Sequence, residues 1–167
     1  DITFVDDKGN ENYPTIIHTA IIGTVERYLF TQFDTAVKNE LIGKPPMLPV
    51  WLSPIQVRLI PVSKKQLDFS LNIHAELEKM NIRVDLDDSD ETLPRKVRRA
   101  ETNWVPYVVI IGEKEVQTGA FDVRFRELNR RQKVTLKELT KEVKDKVDGY
   151  PWKPLPVPKK LSMRPVY

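Results

Sequence analysis

The sequence contains no cysteine, so it cannot build a disulfide framework from its own residues. Long apolar runs are also missing. No segment approaches the roughly 20 consecutive apolar residues that a membrane-spanning helix needs, so membrane insertion is not expected. The opening stretch Asp1-Ile2-Thr3-Phe4-Val5-Asp6-Asp7 lacks the basic flank and apolar core of a secretory signal. Together these absences lead to the expectation of a cytoplasmic protein. An excess of one charge is absent too: 27 Lys and Arg stand against 24 Asp and Glu, for a net charge of +3. Any attraction to nucleic acid must therefore come from local placement of cations and not from the field of the whole chain. Position 1 is not Met, no internal repeat is visible, and the chain opens in what reads as part of a hairpin. A fragment of a longer protein is the expectation that follows.

What is present suits a soluble globular chain: 167 residues, 40% hydrophobic and 31% charged. That length fits one compact unit with a short appendage. Residues 2–5 read as a strand running into a tight turn at Asp7-Lys8-Gly9-Asn10, with a return strand to follow. Residues 14–23, Pro-Thr-Ile-Ile-His-Thr-Ala-Ile-Ile-Gly, are apolar and β-branched and predict a buried strand. From Thr24 the spacing of Val25, Tyr28, Leu29 and Phe33 predicts a helix, with Gly23 as the junction. Pro45, Pro46 and Pro49 then interrupt regular structure and mark a linker over 43–53.

Beyond the linker the pattern predicts strands at 55–62, 82–86 and 105–111, helices at 65–80, 92–103 and 136–147, and a hairpin over 114–125. Strands alternating with helices imply an α/β unit with a mixed sheet and helices on its faces. The last helix is well marked: Leu136, Leu139, Val143 and Val147 form one stripe, Thr135 with Glu138 reads as a capping box, and Gly149 and Pro151 stop it. The helix at 65–80 is ambiguous, since Leu67, Phe69, Leu71, Ile73, Ala75 and Leu77 alternate as a strand would. The five-proline tail over 150–167 predicts an extended segment pinned by Trp152, Leu155 and Leu161.

The stretch running from Pro14 through His18, Gly23 and Glu26-Arg27 resembles the third signature motif of class II aminoacyl-tRNA synthetases. The resemblance implies that Arg27, near the positive end of a helix, presents its planar donor fork to the triphosphate of ATP. From the residues alone, Arg27 is equally an ordinary surface arginine. Threonyl-tRNA synthetases resemble this stretch closely, and the resemblance implies that His18 is one zinc ligand and that Thr24 lies beside the pocket. A lone histidine on an apolar strand otherwise reads as a core histidine hydrogen-bonded to a carbonyl. The family's other zinc ligands are a cysteine and a histidine; this chain has no cysteine and only His74 besides, so no complete zinc site is expected here. The first two class II motifs are also missing, which makes aminoacylation by this chain alone an activity not to be expected.

From Leu48 to Val147 the sequence resembles the threonyl-type anticodon-binding domain, through Leu-Pro-Val-Trp51-Leu-Ser-Pro54, Ile82-Arg-Val-Asp85 and Trp104-Val-Pro106-Tyr107 to Gly112-Glu-Lys-Glu115. The implied fold is a mixed five-stranded sheet flanked by three helices, preceded by a strand-helix remnant of the catalytic domain. The implied domains are 1–46 (end of the catalytic domain), 47–148 (anticodon-binding domain) and 149–167 (proline-rich extension similar to archaeal-type tails). Glu115 and Arg124 match positions that contact anticodon bases in the family.

Independently of the family, Leu93, Val97, Ala100 and Trp104 form one stripe while Arg95, Lys96, Arg98 and Arg99 crowd the rest of that helix. Four cations within five residues repel one another unless solvated or neutralised, and a nucleic-acid backbone would neutralise them. Lys96 and Arg98 are therefore expected to contact phosphates, and Gln117, Trp104 and Phe121 to offer hydrogen bonds or stacking to bases. Trp104 could equally close the core.

The resemblance implies part of a threonine-tRNA ligase that uses threonine, ATP with Mg, and zinc, binds threonine tRNA, and forms a homodimer at full length. A non-catalytic RNA- or protein-binding module of the same fold is the alternative. A related class II enzyme for proline, glycine or histidine is another; Tyr167 leans toward the prolyl type, and His18 placed nine residues before Arg27 favours threonine.

Overall fold

The structure, a computed structural model, describes residues 2–165. Tyr167, the residue that leans toward a prolyl enzyme, lies outside the described residues.

The chain opens with a small antiparallel hairpin of β1 (Phe4–Val5) and β2 (Glu11–Asn12). Asp6 organises its turn by accepting the N–H groups of Lys8 and Asn10 on Oδ1, both at 2.9 Å. The strand expected over 14–23 does not form. Ile16, Ile17, Ile21 and Ile22 are 58% to 94% exposed, and no ladder partner lies beside them among the described residues. A β-rich sequence needs neighbouring strands to satisfy its backbone, and propensity alone does not supply them.

Helix α1 (Val25–Leu41) follows, with the Thr24 hydroxyl accepting the Arg27 N–H at its start. Gly23 precedes it at φ +81°, and a side chain there would meet Arg27 Cδ at 3.2 Å. Contacts divide the chain into two units, one ending at Gln32 and one beginning at Phe33.

In the second unit, β3 (Val57–Pro61), β4 (Val84–Leu86), β5 (Tyr107–Ile111), β6 (Ala120–Phe125) and β7 (Arg130–Thr135) form one sheet in the order β4-β3-β5-β6-β7. β3 runs parallel to β4 and β5, and β5-β6-β7 is antiparallel, so the sheet is mixed as expected. The helices are α2 (Leu67–Lys79), α3 (Leu93–Thr102), the short α4 (Glu113–Thr118) and α5 (Leu136–Val147). The parallel pairs are crossed by α2 and α3, since parallel strands need a long connection.

One face of the sheet carries the main core. Val57, Leu59, Leu86, Val109, Phe121 and Val123 pack under α2 and α5, which contribute Leu77, Leu139 and Val143. The alternation in α2 is resolved as helix. Ser63 and Gln66 form a capping box at the turn leading into it, and Ser70, Ile73, His74 and Leu77 fall on one buried face. Phe121 is therefore a core residue, 1% exposed and stacked on Phe69 at 6.3 Å. It is not the base-stacking surface expected of it.

The other face is covered by α3 over β3 and β5 only, where Ile60, Ala100, Val105 and Val108 make a second, smaller core. The hairpin expected at 114–125 is corrected: 113–118 is helical, and the hairpin is β6 with β7. Gly112 and Glu115 cap α4, and Gly119 ends it in the left-handed conformation at φ +67°.

The tail runs along the free edge of β4. The Leu86 N–H donates to the Lys159 carbonyl at 2.9 Å, and Leu86 pairs with Lys160 in a parallel bridge. Arg164 Nη1 donates to Asp85 at 3.0 Å and Ser162 donates to Asp88. Tyr150 stacks on Trp51 at 4.6 Å. These contacts hold the tail, while Trp152 remains 40% exposed.

Candidate nucleic-acid interface

The part of the sheet that α3 leaves uncovered is the outward face of β6 and β7. On β6, Phe121, Val123 and Phe125 point into the main core, so Ala120, Asp122 and Arg124 point outward. Register places Arg131 beside Arg124 and Lys133 beside Asp122 on the same face. The row continues inward, since Arg124 pairs with Val108, Val108 with Arg58 and Arg58 with Asp85. One ladder row therefore reads Asp85, Arg58, Val108, Arg124, Arg131 across the whole sheet.

The two ends of this row differ in burial. Arg58 is 1% exposed and makes a two-pronged pair with Asp85 at 2.9 and 2.8 Å, which itself is 0% exposed. That pair is internal structure. Arg124 is partly exposed, forms an ion pair with Glu101 at the end of α3, and borders a cavity of about 230 Å³ floored by Val105 and Val108. Arg126 stands beside it, donating to the carbonyls of Pro46 at 2.8 Å and Glu101 at 2.9 Å. Burial lowers the Arg126 pKa; Glu101 opposes that shift and Arg124 adds to it. A second, more open cavity on the far side of Glu101 is lined by Val97, Arg98, Ile110 and Arg131.

The cationic helix face turns out differently from expectation. Lys96 is 6% exposed and its ammonium donates to the Asp87 carbonyl at 3.3 Å, so it does not present itself to a phosphate. Arg99 is neutralised from within, by Asp87 at 2.6 Å and Glu91 at 2.7 Å. Burial alone would raise the Asp87 pKa, but hydrogen bonds from Arg99 and Ser89 outweigh it and hold the carboxyl below its ordinary value. Arg95 and Arg98 remain exposed. The surface suited to phosphates is thus two arginines on α3, continued by Arg131 and Lys133 on β7.

Trp104 is half-buried and lies edge-on to Phe33 with ring centroids 6.1 Å apart. Its backbone is left-handed at φ +53°, at the position after α3 where glycine is usual. The Trp104 N–H donates to Glu101 and the Val105 N–H to Ala100, which closes the helix end around it. Glu115 is partly buried, and its Oε2 accepts the Gly112 N–H at 2.9 Å. Gln117 is exposed on α4. Reading the sequence alone missed Glu101, Arg126 and Arg131. Glu101 sits on a helix whose cations drew attention away from it, and Arg131 lies on a strand too charged to show an apolar pattern.

In the first unit, Arg27 is exposed in the opening turn of α1 and His18 is exposed in the irregular stretch before it. Among the described residues no group of three or more His, Cys, Asp or Glu side chains could hold a metal. A single imidazole does not make a zinc site by itself, in keeping with the expectation that any companion ligands of His18 lie outside this chain. Among the described residues no helix is long and apolar enough to cross a membrane.

A family model described as "Anticodon binding domain" matches residues 56–146. The chain is 51% identical over 164 residues to the threonine–tRNA ligase of Pyrobaculum calidifontis, an alignment covering 98% of this chain and 27% of that protein. It is 48% identical over 166 residues to the threonine–tRNA ligase of Pyrococcus furiosus, again covering 99% of this chain and 27% of the relative. The chain thus spans about a quarter of the length of these curated relatives. Among solved structures it is similar to the RNA binding domain of threonyl-tRNA synthetase from Cryptosporidium parvum, with a TM-score of 0.57 and 28% identity, over 62% of this chain and 26% of the other.

Proposed function

The chain belongs to the anticodon-binding domain family, and from that premise we propose that it is the C-terminal part of a threonine–tRNA ligase whose sheet domain reads the anticodon of threonine tRNA. The observation that carries this reading is the uncovered face of β6 and β7, where Arg124 meets a cavity wide enough to receive a single splayed base and Arg98 and Arg131 stand beside it. Single-stranded loops are read by such combinations of base-edge hydrogen bonding, stacking and phosphate contact. Similarity to threonine–tRNA ligases along nearly the whole chain supports the choice of threonine.

On this reading residues 1–46 end the catalytic domain, 47–148 form the anticodon-binding domain and 149–167 are an extension. Arg27 then contributes to an ATP and Mg site, and His18 is one zinc ligand whose companions lie outside this chain. The exposed isoleucines of 14–23 become a strand once the sheet of the longer protein stands beside them. Threonine, ATP and a second subunit are partners of that longer, cytoplasmic protein.

Arg124→Ala is expected to weaken cognate tRNA binding by about 1–3 kcal/mol, the size of a lost bidentate base contact, and to spare other tRNAs. Arg98→Ala should weaken all tRNAs alike and flatten the salt dependence. Binding titrations in which both variants lose affinity uniformly would remove Arg124 from base recognition.

A further inference from the structure

We infer that the β4 edge of the sheet binds one small inorganic anion between Arg58 and the tail residue Arg164. This site is independent of any reading of anticodons. β4 and β7 are the two edges of the sheet, four strand spacings or about 19 Å apart, so the site is separate from the uncovered face.

Charge is the first ground. Asp85 is 0% exposed and serves two guanidinium groups at once. Its Oδ2 accepts Arg58 Nη2 at 2.8 Å and Arg164 Nη1 at 3.0 Å, and its Oδ1 accepts Arg58 Nε at 2.9 Å. Two cations thus share one carboxylate, which leaves an excess of one positive charge beside a side chain, Arg58, that is 1% exposed. Away from water an unbalanced charge of this kind is costly. Asp88, the next carboxylate along the chain, is exposed and engaged by Ser162 at 3.0 and 2.7 Å.

Hydrogen bonding is the second ground. Arg58 commits Nε and Nη2 to Asp85, while Arg164 commits Nη1 to Asp85 and Nε to the Pro158 carbonyl at 2.9 Å. The remaining nitrogens, Arg58 Nη1 and Arg164 Nη2, are closed off from solvent and have no hydrogen-bond partner among the described residues. A guanidinium only donates, so the complement to both is an acceptor. Water would accept these bonds and leave the charge excess in place, whereas a small anion answers both needs. The tail's backbone contacts with Leu86 carry Arg164 to this position. An anion that needs Arg164 therefore binds only while the tail is docked, and stabilises the docked form by linkage.

The test is thermal melting of the 167-residue chain as chloride, or in a second series phosphate, replaces gluconate at constant ionic strength, which holds screening fixed. The expected result is a saturating rise of about 3 °C, with chloride, the monovalent ion, favoured. Arg164→Gln, which removes the charge excess, is expected to abolish the rise, and Arg131→Ala at the opposite edge to leave it intact. Crystals grown with bromide should show an anomalous peak within hydrogen-bond reach of Arg58 and Arg164, a readout that does not depend on the variant folding. A rise with phosphate alone that Arg164→Gln abolishes keeps the site and names its ion. A rise that Arg131→Ala abolishes assigns the anion to the uncovered face and overturns the inference. Melts indifferent to both ions, with no bromide peak at the arginines, overturn it as well and leave water as the partner of these nitrogens.

Discussion

Trp104 holds a backbone conformation that a bulky L-residue adopts at a cost of about 1–2 kcal/mol, at φ +53° in the turn that closes α3. Strain of this kind persists where the side chain is needed, and it motivates a functional reading of the ring. The strain and the ring can be separated by two substitutions. Trp104→Gly and Trp104→Ala both delete the indole, but only glycine relaxes the backbone. The glycine variant should therefore be the more stable by about 1 kcal/mol in urea midpoints, while both lose tRNA affinity equally. Equal stability of the two would show that the left-handed turn stores nothing. At this scale the sequence was legible where a residue type and its place in a motif decide its chemistry. The structure places Arg124 on the outward face of β6, where its proposed role requires it. Lys96, Arg99 and Phe121 were misread because their surroundings come from elsewhere in the fold: Asp87 and Glu91 take up the cations, and α2 covers Phe121.

The elements were recovered wherever a period and a cap agree. α5 matches expectation from Leu136 to Val147 because its stripe and the Thr135–Glu138 box say the same thing. α2 was ambiguous by period alone, and the Ser63–Gln66 box was the local signal that decides it. α4 was missed because six residues are too few for a helical stripe, although Gly112 and Gly119 bracket it. β7 was missed because Arg130-Arg-Gln-Lys133 is polar on both faces, a composition that keeps an edge strand from pairing with other chains. The opposite edge, β4, is protected by the tail, whose Arg164 shares the buried Asp85 with Arg58. Arg164→Ala is expected to cost about 1.5–3 kcal/mol, the range for a hydrogen bond to a charged group. Asp85 keeps its pairing with Arg58, so the loss stays below that of an orphaned buried charge. Ser162→Ala, at an exposed contact, should shift stability by under about 0.5 kcal/mol. Urea midpoints that move equally for the two variants would show that the tail is held by something other than the Asp85 pair.

At the scale of the whole chain, the two units differ in what they bury. The sheet domain is closed on one face by α2 and α5 and half-closed on the other by α3. The stretch up to Gln32 leaves Ile16, Ile17, Ile21 and Phe30 at 72% exposure or more. Its β-branched sequence reads as a strand, but among the described residues no strand lies beside it, so sequence and structure part here for a physical reason. The chain spans 27% of its relatives, which accords with that difference. The central claim is that the sheet domain alone carries preference for one anticodon. Titration of the chain at physiological salt against threonine tRNA, and against the same tRNA with its anticodon replaced, tests it most directly. The prediction is at least about a tenfold preference for the cognate anticodon, equivalent to about 1.4 kcal/mol, with affinity for both tRNAs falling as salt rises. Equal affinity for the two tRNAs would contradict it and leave the uncovered face of β6 and β7 as a surface that attracts phosphates without reading bases.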